Sequence, residues 1–130
     1  NMDRFIVQQN VQRAINPLQV DAQNSLDTGY LFSLSYDAIP PLVGFFIDPD
    51  TPQRVQDDIG GVLACRLAIL DRPENVPLTS YHHARSRAGN LLQSQAQNLA
   101  AYPVFEDQGW FVEVDGEVRS CYGYSTPFED

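Results

Sequence analysis

The dipeptide Asp115-Gly116 constrains this chain more tightly than any other feature. Before it, Trp110, Val112 and Val114 alternate with Phe111 and Glu113; after it, a second strand-like segment runs from Val118 to Tyr124. Asp-Gly between two period-two segments encodes a two-residue type I′ turn, because both central residues need positive φ and these two reach it at low cost. Such a turn permits one register, with Val114 opposite Glu117, Val112 opposite Arg119 and Trp110 opposite Cys121. The spacing therefore predicts an antiparallel hairpin that carries Trp110 and Cys121 on its core side.

Upstream, the apolar period is mostly helical. Val7, Val11 and Ala14 recur at i, i+4 and i+7 behind Asp3, which predicts a first helix from Arg4 to Ile15, with Pro17 beyond its end. Residues Gln19 to Thr28 show no periodicity and read as a loop. Tyr30, Phe32, Leu34 and Tyr36 alternate with Ser33 and Ser35, the pattern of a half-buried strand. The run Leu42 to Ile47, after Pro40-Pro41, reads as a strand covered on both faces.

Asp48-Pro49-Asp50-Thr51-Pro52 then forms a turn into a second helix, with Thr51 as cap and Pro52 at the first helical position. Val55, Ile59, Val62, Leu63, Leu67 and Leu70 give that helix the widest apolar stripe in the chain, so it is expected at the centre of the core. Within it, Gly60-Gly61 predicts close packing against another element. A linker from Asp71 to Leu78 leads to a third helix that opens at Thr79 or Ser80 and stops at Pro103, its outer face rich in amides and free of carboxylates.

This order predicts one α+β domain over residues 2–130, with an antiparallel or mixed sheet of about four or five strands, helices packed mainly on one face, and a β-hairpin at the end. Hydrophobic residues make up 43% of the chain, a globular balance.

Charge narrows the partners. Eight Arg, no Lys and seventeen Asp plus Glu give a net charge of −9, which repels nucleic acid and anionic membranes at long range. No apolar run is long enough to cross a bilayer and no charged-then-apolar leader opens the sequence. Cys65 and Cys121 match no metal-ligand or redox spacing and sit among apolar neighbours, so two free buried thiols and a cytoplasmic protein are expected.

Four groups of residues carry what chemistry there is. His82-His83 are adjacent, hence about 100° apart on a helix, and cannot readily share a metal ion. With Arg85 and Arg87 they form a locally positive patch at a helix start, suited to a small anion or to an internal partner. Asp48, Asp50, Asp57 and Asp58 read as dipole complementation and a solvated acidic face, since they lack the glycine and terminal glutamate of a calcium loop. Trp110, Phe111, Tyr122 and Tyr124 offer either an aromatic docking face or a sheet covered on both sides. No nucleophile elbow, phosphate loop or zinc-protease helix occurs, and no cofactor or metal is implied.

The leading expectation is a non-enzymatic acidic binding protein, of inhibitor, immunity or chaperone type, which engages a basic protein through Asp57, Asp58 and the Trp110 hairpin. The alternatives are a small enzyme or ligand-binding domain that uses His82, His83, Arg85 and Arg87 near the third helix, and a structural subunit that assembles with copies of itself or with others.

Overall fold

The computed structural model describes residues 2–15, 31–32, 34–70 and 80–122. Helix α1 (Met2–Ile15) buries Val7, Val11 and Ala14 along one stripe, as their spacing predicts. Its C-terminal turn is closed from outside: the guanidinium of Arg54 donates to the carbonyl of Ala14 at 2.6 Å, satisfying an orphan acceptor at the negative end of the dipole.

Among the described residues, neither strand expected between residues 30 and 47 is present. Leu31 and Phe32 are helical, Tyr36–Ala38 is a 3₁₀ turn capped by Ser35, and Ile39–Ile47 is a helix, α2. Pro40 and Pro41 explain the second correction. They occupy the first turn of α2, where a missing N–H costs nothing and a fixed φ suits the helix, so the pair marks a start. A short continuous apolar run carries no period of its own, and here Ile39, Leu42 and Val43 bury a helical face.

The alternation from residue 30 to 36 has a different basis. Arg66 donates to the carbonyls of Phe32 (3.0 Å) and Leu34 (2.9 Å) and lies over the rings of Phe32 and Tyr36. Two of the segment's carbonyls therefore go to one guanidinium, and those of Leu31 and Ser35 go to local turns, instead of to a neighbouring strand. Ser33 and the loop at 19–28 lie outside the described residues.

Helix α3 (Gln53–Leu70) follows the turn but starts one residue later than expected, with Pro52 in the capping place just before it instead of at the first helical position. The carboxylate of Asp48 accepts the Asp50 N–H, and the carbonyl of Pro52 accepts the first helical N–H, from Gln56. Val55, Ile59 and Leu63 are fully buried, and α3 packs against α2, against the sheet and against the next helix. That helix, α4 (Ser80–Ser94), is followed after a break at Gln95 by the short α5 (Ala96–Leu99), where a single helix is expected. The linker at 71–78 lies outside the described residues.

The sheet has three antiparallel strands among the described residues, not four or five: β1 (Val104–Glu106), β2 (Trp110–Val114) and β3 (Glu117–Ser120), in that spatial order. Five helices and this sheet make the fold α+β. β2 and β3 pair with Val114 opposite Glu117 and Val112 opposite Arg119, and the Cys121 N–H donates to the Trp110 carbonyl at 2.9 Å. Asp115 and Gly116 take φ values of 53° and 80°, the positive pair of a type I′ turn. Tyr124 lies outside the described residues.

Helix α3 meets the segment before β1 at Gly60 and β2 at Gly61. A Cβ on Gly60 would overlap the Tyr102 ring, and one on Gly61 would fall 2.8 Å from Cγ2 of Val114. The same seam corrects the expectation of free thiols. Cys65, on the buried stripe of α3, and Cys121, on the inner side of the hairpin, form a disulfide with Cα atoms 5.7 Å apart. Hairpin register alone places Cys121 on the core side; the stripe of α3 then brings Cys65 under it, at the spacing a bridge needs.

Candidate protein-binding face

Alternation divides the sheet into two chemically distinct faces. Val104, Trp110, Val112, Val114 and Cys121 point toward α3, with Val112, Val114 and Cys121 buried and Trp110 half-buried. Phe105, Phe111, Glu113 and Val118 point the other way. Phe105 and Phe111 are cross-strand partners with rings stacked at 5.7 Å, while Phe105 and Val118 remain 42% and 57% exposed. Diagonal neighbours across β2 and β3 join Val118 to this pair, so the three side chains form one patch.

Carboxylates run along the sheet. Glu113 shares the patch's face and Asp107 and Asp115 lie in the turns at its ends, while Glu106 and Glu117 stand opposite Trp110 and Val114 on the other face. Glu106, Asp107, Glu113, Asp115 and Glu117 are all exposed, on the strands or in the turns between them. Arg119 is the one cation of the three strands. Its guanidinium donates to Asp58 at 2.6 Å and to Glu117 at 3.2 Å, so it faces the helix seam more than the patch.

The carboxylates expected to be solvated are therefore partnered. Asp58 takes Arg119, and Asp57 accepts from the Tyr102 hydroxyl and from Gln53, both at 2.8 Å. Burial, with the Asp57 carboxylate beside it, raises the Tyr102 hydroxyl well above the usual phenol range and keeps it a donor. Asp57 and Asp58 thus brace α3 against the segment that leads into β1 and against β3. The sequence signal for this role was Gly60-Gly61: the contact that excludes a Cβ also brings the carboxylates of the same turns against the sheet side.

In the positive patch, Arg85 donates to the carbonyl of Leu70 at 3.1 Å, closing the end of α3, and Arg87 is exposed on α4. His82 and His83 lie in the first turn of α4, and their side chains lie outside the described residues. Among the described residues no three His, Cys, Asp or Glu gather in a group able to hold a metal ion. A shallow cleft between α3 and the hairpin is lined by Asp58, Val62, Arg119, Ser120 and both cysteines, where the only titratable groups already pair with each other.

Sequence reasoning missed β1, and with it Phe105. The signal was present in Val104-Phe105-Glu106 followed by a Gly-containing turn; Gln108 and Gly109 both take positive φ there. Comparison of the chain with protein-family models, with curated proteins and with solved structures gives no match. No helix among the described residues is long and apolar enough to cross a membrane.

Proposed function

We propose that this chain is a non-enzymatic acidic binding protein that engages a basic protein partner. The observation that carries this reading is how charge is distributed. The guanidinium groups of Arg54, Arg66, Arg85 and Arg119 are spent on helix ends, on loop carbonyls and on Asp58, while the carboxylates of the hairpin stay exposed. Arginine supports that use because its planar fork reaches two acceptors at once and keeps its charge where an ammonium gives way. These four of the eight arginines thus hold helix ends and interior seams, and the surface offered by the hairpin is acidic.

A net charge of −9 then steers a cationic partner toward that surface and speeds encounter. The Cys65–Cys121 bond supports residence in an oxidising compartment over the cytoplasmic expectation, because such bridges persist where thiols are not kept reduced.

The test is association kinetics with the basic protein that co-purifies from the native source. The on-rate should fall steeply as salt brings the Debye length below about 10 Å. It should also fall in a Glu106→Gln, Glu113→Gln, Asp115→Asn variant. Because Asp57 and Asp58 are tied to Tyr102 and Arg119, neutralising them should disturb the fold more than the on-rate. An on-rate indifferent to salt and to the triple variant rejects the acidic-binding reading.

A further inference from the structure

We infer, building on the acidic-binding reading, that the outer face of the sheet is the docking site, and that its occupant is a cationic protein segment that sets an apolar anchor against the Phe105–Phe111 pair. Single exposed apolar side chains are ordinary on protein surfaces, but contiguous ones on a rigid sheet are not. Phe105, Phe111 and Val118 are held in register by two strand pairings and a type I′ turn, so the patch is formed before any partner arrives. That pre-organisation spares a partner the cost of ordering it.

No described helix or strand packs over this face, and α3 takes the opposite one. Charge then selects the occupant. Glu113 on this face and Asp107 and Asp115 in the turns at its ends rim the aromatic pair, so a second copy would bring like charges together, and nucleic acid or an anionic membrane would be repelled. A segment with Arg or Lys beside an aromatic or aliphatic residue satisfies both parts of the site. Its cations meet the carboxylates or the ring faces, and its anchor covers the apolar centre.

The experiment uses the full chain and two short synthetic peptides of equal charge, one alternating Arg with Trp and one alternating Arg with Ser. Binding is followed by fluorescence anisotropy at low and at physiological salt. The Arg-Trp peptide should bind about tenfold more tightly than the Arg-Ser peptide, and Phe105→Ser should erase that difference while leaving Arg-Ser binding unchanged. Val118→Thr, which keeps the strand's β-branched residue, should reduce the difference in part and serves if Phe105→Ser does not fold.

Equal affinity for the two peptides, or a preference that survives Phe105→Ser, overturns the sheet-face inference; if binding still weakens with salt, the acidic-binding reading stands without it. No binding of either peptide at low salt removes both. A dimer in sedimentation that Phe105→Ser converts to monomer makes a second copy the occupant. Proton contacts between the Phe105 ring and residues 123–130 in the free chain give the face to the chain itself. Either of these last two results overturns the inference.

Discussion

The inner and outer faces of the sheet are built from the same three strands, residue by residue in alternation, yet they do different work. On the inner face every feature closes a gap. Val112 and Val114 press on Gly61, Cys121 is bonded to Cys65, and Arg119 reaches Asp58. On the outer face Phe105 and Phe111 stack on each other, and among the described residues no helix packs over them or over Val118. The difference teaches that apolar character alone does not say which side of a strand holds the fold. The neighbours that receive the side chains decide it.

The disulfide is the largest single test of the inner face. It closes a loop across a sequence separation of 56 residues, for which the chain-entropy account gives a stabilisation of about 4 kcal/mol. Cys65→Ser with Cys121→Ser should lower the unfolding free energy by roughly that amount in denaturant titrations. Thiol counting on the native protein in non-reducing denaturant should find no free groups at these positions. Two free thiols would restore the reduced pair expected from the sequence.

The glycine seam gives a smaller effect, with a built-in control. Gly61→Val drives a side chain into Val114, a stiff and buried neighbour, and overpacking of this kind costs about 1–3 kcal/mol. Gly44 lies in α2 with nothing within 4 Å of an added Cβ, so Gly44→Ala should instead gain up to about 1 kcal/mol from helix propensity. Opposite signs in thermal unfolding would sharpen the contrast between a packed seam and an open helix face. Equal signs would show that the seam can relax.

Much of this arrangement is legible in the sequence, and the losses have physical causes. Asp115-Gly116 specifies the hairpin register because turn chemistry is local, and the stripes of α1 and α3 are legible because each spans several turns. The run Leu42 to Ile47 is not, because five apolar residues around Gly44 fit a buried strand as well as a helix and only the position of Pro40-Pro41 distinguishes them. The alternation at residues 30 to 36 misleads because Arg66, more than thirty residues away, takes its carbonyls. Asp57 and Asp58 read as solvated for the same reason: their partners, Tyr102 and Arg119, are distant in sequence. The outer face of the sheet is half legible. Phe111 is visible from the hairpin pattern, but Phe105 depends on β1, a three-residue strand too short to announce itself.

Two valines on this sheet permit the most direct measurement of its asymmetry. Val112 is 3% exposed on the inner face and Val118 is 57% exposed on the outer, and threonine keeps the shape and β-branching of valine while adding a hydroxyl. In denaturant unfolding, Val112→Thr should cost about 1–3 kcal/mol, because its hydroxyl is buried among apolar groups. Val118→Thr should stay within about 0.5 kcal/mol of the parent. That result would show an inner face that holds the fold and an outer face free to receive a partner. Equal losses at both positions would show that the outer face is also buried, and would contradict the account.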